Sequence, residues 1–368
     1  MQNRAKKQAY LHELFGFDTP VKGFEDPIPV FAEKTAFVPD VNPDFVFDKD
    51  MVGRVLRSYG ARENIMLTGE KGTGKTTFVQ QFCARLNIPL MTICGGPGLD
   101  ESYLMGGKTI EASSVKSVDG LISYCLRWGI NILIDEIAAI KPSVLVSIND
   151  VLNGDQTITL KHHGLDPSKS PVDLVDQEGS LSITRHKAFR LFACDNTGGK
   201  VNKDPRYAGV MVQNTAVRSR FTCFRMGFMH PALELKALTN IVGEKLPVSL
   251  AKQMIELAMR VRAAFEIGEM YDTLSFRELK RWASKSLVYG SLEDEIIPGA
   301  ERKLIPDVHN GFVDAVYTGM EESDQDMVRQ LFELVFNTTL SLPNEYKNTS
   351  TEFLKLLDSE ELNWDFAA

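Results

Sequence analysis

Short apolar runs alternate with stretches of helical spacing from Asp50 to about His230. Beyond Pro231 the apolar positions recur only at helical intervals. The runs at 64–67, 90–93, 130–134, 190–194 and 221–225 are almost unbroken by polar residues. Strands covered on both faces read this way, so the runs predict a parallel sheet with helices between its strands. Helices are predicted at 76–86 and 142–152. Residues 95–120 and 157–185 interrupt the alternation with short β-like pieces, which read as inserted hairpins. Helices at 232–241, 249–267, 275–289, 307–317 and 326–336 then predict an all-helical segment with no further strands.

The pattern divides the chain into an arm at 1–49, an α/β domain at 50–230, a small helical domain at 231–340 and an acidic tail at 341–368. The arm opens with a short predicted helix at 6–15 and continues through a stretch rich in Pro and Asp. Its aromatic residues Phe15, Phe17, Phe24, Phe31, Phe37, Phe45 and Phe47 fit two readings, a linker packed on its own core or a docking arm for a partner.

Chemistry enters at the end of the first run. Gly69, Glu70, Lys71, Gly72, Thr73, Gly74, Lys75 and Thr76 form a complete G-x-x-x-x-G-K-[ST] loop between a strand and a helix, with Thr77 following. Glycines let the backbone wrap an anion closely, and the helix start adds the positive end of its dipole. Lys75 would reach the β- and γ-phosphates of ATP, and the Thr76 hydroxyl would hold Mg²⁺. The third run ends in Asp135-Glu136. Carboxylates at the C-terminal edge of a parallel sheet face the ligand crevice. Asp135 would serve the Mg²⁺ shell and Glu136 would polarise an attacking water.

The fourth run ends near Asn196, whose amide could hydrogen-bond both that water and the γ-phosphate. Arg218 and Arg220 precede the fifth run. One of them would stabilise transition-state charge at a neighbouring subunit's site, and Arg220 is preferred because it sits directly against the strand. Ser275 is a good helix N-cap. Arg277 follows it in the first turn, where the dipole disfavours a cation, so a contact with nucleotide phosphate is the reason to place it there.

Composition narrows the field. The net charge of −8 disfavours nucleic acid as the main partner. The five cysteines lack C-x-x-C spacing and read as reduced, buried thiols of a cytoplasmic protein. No apolar run approaches the roughly 18 residues of a membrane span. His162-His163 lies in the second insertion and reads as a solvated loop pair rather than a metal site.

These motifs in this order, with a helical lid behind, resemble AAA+ ATPases of the helix-2-insert clade, which includes MoxR-type ATPases and Mg-chelatase motors. Within it the chain is most similar to the CobS family of aerobic cobaltochelatase subunits. The resemblance is carried by Leu14-Phe-Gly-Phe-Asp18, Val38-Pro-Asp-Val-Asn-Pro-Asp-Phe-Val-Phe-Asp48, Gly72-Thr-Gly-Lys-Thr76, Ala188-Phe-Arg-Leu-Phe-Ala193 with Asn196-Thr197, and Leu274-Ser-Phe-Arg277. It departs from that pattern at Cys194-Asp195 and at Ser219. The resemblance implies an AAA+ P-loop core with inserted β-hairpins and a helical lid, Asn196 and Arg277 as sensor residues, and a homo-oligomeric, hexameric ring. It implies a CobT-like integrin-domain partner and a CobN-like large subunit. A MoxR-like chaperone acting on another client, and a nucleotide-gated scaffold with little turnover, are the alternatives.

Overall fold

The apolar runs do become strands, each beginning or ending up to one residue later than its hydrophobicity suggests. In the computed structural model they are β1 (Ile65–Thr68), β2 (Leu90–Cys94), β3 (Asn131–Asp135), β4 (Leu191–Asp195) and β5 (Thr222–Arg225). Backbone pairing is indifferent to side-chain polarity, so Thr68 and Asp195 still pair with each other at the polar edge. The structure describes all residues except 1–4, 112–113, 164–166, 177–179, 197–214, 293–302 and 343–368.

The strands form one sheet in the order β5-β1-β4-β3-β2, and every neighbouring pair is parallel. β4 therefore lies between β1, which leads into the Gly69–Thr76 loop, and β3, which ends in the carboxylates. Helix α1 (Lys49–Gly60) begins at Asp48, whose side chain accepts from Met51 N at 2.7 Å. Helix α2 (Lys75–Arg85) follows the loop and α3 (Leu121–Trp128) precedes β3. The predicted helix at 142–152 is divided into α4 (Pro142–Ser147) and α5 (Asn149–Asn153). Ser147 Oγ donates to Val144 O at 2.8 Å, the kind of back-bonding that bends a helix.

Strand alternation sends Met66, Ile132, Ile134, Leu191 and Ala193 to one face, against α3, α4 and α5. Ile65, Leu67, Leu133, Phe192 and Cys194 take the other, against Phe78 and Phe82 of α2. The arm completes this second layer. Phe15 and Phe47 are buried there, with Phe17, Phe24, Phe31 and Phe45 partly buried around them. Full burial of one such ring is worth about 1.5–3 kcal/mol. Gln81 of α2 receives Asn42 N at 2.7 Å and donates to Asp40 O at 3.0 Å. The arm thus packs on its own core, and only Phe37 among those rings is exposed. The predicted helix at 6–15 is shorter than its pattern suggests. Lys6–Ala9 pairs antiparallel with Ile28–Phe31, and the helix covers only Leu11–Phe15. Ladder partners supplied by the fold override local propensity here.

Both insertions are hairpins, Gly106–Glu111 with Ser114–Asp119 and Thr157–Thr159 with Ser182–Thr184. His163 corrects the solvated reading of its pair, because it is only 3% exposed. Its Nδ1 lies 2.8 Å from Ser180 O and its Nε2 3.3 Å from Val118 O, so the ring ties the two insertions together. His162 does stay exposed, 3.6 Å from Glu101. No metal-binding cluster occurs among the described residues.

Two compact units emerge, Met1–Phe228 and Met229–Ala368. The second contains α6 (Pro231–Val242), α7 (Val248–Glu266), α8 (Phe276–Val288), α9 (Val308–Ala315) and α10 (Glu322–Phe336). Trp282 centres its core, against Phe312 and Phe332. Strands are not wholly absent, as Ser291–Leu292 pairs with Leu304–Ile305. Two-residue ladders are too short for periodicity to signal. No helix among the described residues is long and apolar enough to cross a membrane.

Candidate active site

The loop Gly69–Thr76 leaves the C-terminal end of β1 and enters α2 at Lys75. Gly72 and Gly74 hold φ of +80° and +86°, the left-handed region where a side chain is strained. Gly74 is the N-cap, and no side chain caps the first turn of α2, whose N–H groups are left for an anion. Lys75 is buried, and its Nζ donates to Gly69 O at 2.9 Å and Glu70 O at 2.7 Å. Burial lowers its pKa, opposed by the nearby Cys194, Asp135, Glu70 and Asp195. Thr73, Thr76 and Thr77 are half-buried along the loop, Glu70 likewise, and Lys71 is exposed.

Thr76 Oγ1 donates to Asp135 Oδ2 at 2.8 Å. A hydroxyl and a carboxylate brought together from two elements form a hard-oxygen donor set that fits Mg²⁺. Glu136 follows Asp135, is exposed, and occupies φ +51° and ψ +46°. For a residue with a Cβ this conformation costs of order 1–3 kcal/mol and clusters at functional sites.

Asn196 stands just past β4 and is half-buried. The preceding Asp195 O accepts Gly69 N at 3.2 Å, so Asn196 emerges beside the loop. Pattern reading passed over two neighbours. Asp195 is fully buried at this edge. Cys194 is buried within reach of Thr76 and Asp135, and burial pushes its thiol up to about 12, whereas Cys94 and Cys223 are exposed, against the expectation of buried thiols throughout. Both were hidden because an apolar run gives no sign of which end residue turns toward the site.

Arg220 occupies the other end of the sheet. Its carbonyl accepts Asn64 Nδ2 at 3.3 Å, at the start of β1 rather than at its loop end. Four strand residues, roughly 13 Å, separate that edge from Gly69. Arg220 Nε donates to Asn153 Oδ1 at 2.5 Å and Nη1 to Ala216 O at 2.9 Å. Arg218 ends the short helix Thr215–Arg218, and its guanidinium makes no hydrogen bond among the described residues.

Arg277 belongs to the second unit. It is exposed in the first turn of α8, where Ser275 and Glu278 form a capping box and Arg277 N donates to Ser275 Oγ at 3.2 Å. The loop, Asp135, Glu136 and Asn196 therefore converge on one sheet edge, whereas Arg218 and Arg220 lie at the other.

Residues 64–221 match the AAA domain (dynein-related subfamily). The chain is 27% identical over 294 residues to the aerobic cobaltochelatase subunit CobS of Sinorhizobium sp, covering 77% of this chain and 81% of that protein. It is 22% identical over 214 residues to protein CbbQ of Hydrogenophilus thermoluteolus, covering 58% of this chain and 70% of that one. Among solved structures, the FIGL-1 AAA domain in complex with ADP aligns with a TM-score of 0.42 at 12% identity, covering 81% of this chain and 92% of that one.

Proposed function

We propose that the chain is an AAA-type ATPase acting as a ring motor, a reading supported by its match to the AAA domain (dynein-related subfamily) and its similarity to CobS and CbbQ. It hydrolyses ATP with Mg²⁺ and spends that energy on remodelling a partner protein. The observation that carries the reading is the contact of Thr76 Oγ1 with Asp135 Oδ2, beside Lys75 and one residue before Glu136.

The uncapped first turn of α2 and the loop N–H groups receive the phosphates, and Lys75 turns from its own loop carbonyls toward them. Thr76 and Asp135 would hold Mg²⁺, which would supply positive charge against that developing on the phosphate oxygens. Glu136 accepts the proton of the attacking water as its oxygen bonds to the γ-phosphorus and the bond to the ADP oxygen breaks. Asn196 orients that water. Arg220 lies too far from its own loop to assist, which supports a role at the site of a neighbouring copy in a hexamer. The sequence assigns Arg277 as the sensor arginine.

Similarity to CobS supports one client, a cobaltochelatase assembly with a CobT-like integrin-domain protein and a CobN-like subunit, in which this chain would drive metal insertion. The similarity to CbbQ supports the alternative, a MoxR-like remodeller of another client. Glu136→Gln should keep ATP affinity and lower turnover about 100-fold or more. The same variant, held with ATP, should capture the client. Wild-type turnover by Glu136→Gln would remove the catalytic assignment, and recovery of a client without a metal-binding partner would favour the MoxR-like reading.

A further inference from the structure

Glu136 is held in the left-handed region by hydrogen bonds on both sides of it. Gly95 N donates to Asp135 O at 2.7 Å, and Ala139 N donates to Glu136 O at 2.8 Å. Glu136 N also donates to Asp135 Oδ1 at 3.1 Å. Gly95 directly follows β2, whose last residue, Cys94, pairs with Asp135. The peptide after Glu136 therefore turns across the bare backbone of Gly95. A Cβ at Gly95 would overlap the Glu136 carbonyl oxygen, and would stand 2.9 Å from Glu136 C and 2.9 Å from Asp135 O. Its nearest atoms are all backbone atoms of these two residues, so no flexible side chain can yield to it. The adjacent Gly96 differs, since a Cβ there meets nothing within 4 Å.

We propose that Gly95 is a positioning residue for Glu136: its missing side chain lets the Glu136 carbonyl lie against it and so fixes the direction in which the Glu136 carboxylate leaves the strand tip. This rests on Glu136 being the group that polarises the water. A methyl group at Gly95 forces the Glu136 carbonyl to rotate. Either the left-handed turn or the Gly95–Asp135 hydrogen bond is then lost, and the carboxylate shifts. A misplacement of about 1 Å costs roughly 100-fold in rate. Lys75 hydrogen-bonds within its own loop, away from the Glu136 peptide, so nucleotide affinity is retained.

The test compares full-length Gly95→Ala, Gly96→Ala and Glu136→Gln in steady-state ATP hydrolysis and in the Kd for a fluorescent ATP analogue. Gly95→Ala should lower kcat about 100-fold with Kd and KM within threefold of wild type. Gly96→Ala should match wild type in all of them. Turnover by Gly95→Ala within threefold of wild type overturns the proposal. So does loss of nucleotide affinity, which would mean that Gly95 supports the whole site rather than Glu136. An equal loss in Gly96→Ala overturns it too, because loop flexibility would then set the rate. Glu136→Gln separates the two levels. If it is inactive while Gly95→Ala is active, only the positioning role falls. If it hydrolyses ATP normally, the reading of Glu136 itself falls.

Discussion

Thr76 Oγ1 donates to Asp135 Oδ2 at 2.8 Å, joining the start of α2 to the tip of β3. Together the pair offers two hard oxygens, so removing the hydroxyl should affect Mg²⁺ before it affects the nucleotide. Thr76→Val is expected to raise the Mg²⁺ concentration for half-maximal ATP hydrolysis about 10–100-fold. Titration of activity against Mg²⁺ at saturating ATP measures it. An unchanged midpoint would mean that Thr76 only braces Asp135.

Lys75 is tied to its own loop, with Nζ on Gly69 O and Glu70 O. Its ammonium is expected to meet the terminal phosphates, and its loss should remove binding rather than only the chemical step. Lys75→Ala is expected to weaken ATP affinity at least about 100-fold, since hydrogen bonds to charged groups are worth about 1.5–3 kcal/mol and Lys75 would make more than one. Equilibrium titration with a fluorescent ATP analogue checks it. Retained affinity with lost turnover would assign Lys75 to the transition state alone.

Arg220 presents a different problem, because Asn153 holds its Nε at 2.5 Å. If Arg220 serves a neighbouring copy, Arg220→Ala should lower hydrolysis about 10³-fold. Mixing it with Glu136→Gln subunits should restore part of the activity, since some interfaces then combine an intact Glu136 with an intact Arg220. Full activity of Arg220→Ala alone would transfer the role to Arg218, whose guanidinium makes no hydrogen bond among the described residues.

The sheet was legible because its strands are buried on both faces, as in Ile132-Leu133-Ile134, where no polar residue breaks the run. The loop was legible because its glycines and Lys75 have few other uses at that spacing. What stayed hidden depends on contacts far apart in sequence. The burial of His163 follows from two carbonyls, Ser180 and Val118, on separate insertions. The tether of Arg220 comes from Asn153, 67 residues away. Glu136 looks like any strand-end carboxylate until its φ of +51° is known. Pattern reading finds periodic burial, and these features are single pairings with no period.

Glu234 and Arg262 form a buried bidentate pair in the second unit, at 2.7 and 2.9 Å, and Arg262 Nε donates to Leu274 O at 2.8 Å. Removing one partner leaves the other charge stranded in the core. Arg262→Met should therefore destabilise this unit by about 3–5 kcal/mol, while Glu234→Leu with Arg262→Met should recover most of the loss. Denaturant unfolding of the full chain with Trp128 and Trp364 replaced by Phe, followed by the fluorescence of Trp282, tests both.

The arm holds its most buried rings, Phe47 and Phe15, against the core. Phe47 lies edge-on to Phe15 at 4.8 Å and to Phe78 of α2 at 5.7 Å, and is 3% exposed. A docking arm and a structural arm differ in what this ring supports. In the structural case Phe47→Ala opens a cavity behind α2 and costs about 3–5 kcal/mol of unfolding free energy, with no partner present. α2 carries Lys75 and Thr76 on its first turn, so the loss should also weaken ATP binding. Phe37→Ala is the counterpart, since that ring is exposed. It should leave stability within about 0.5 kcal/mol of wild type. If instead Phe47→Ala unfolds at the wild-type midpoint, the ring does not support the core, and the arm's aromatics must be explained by a partner.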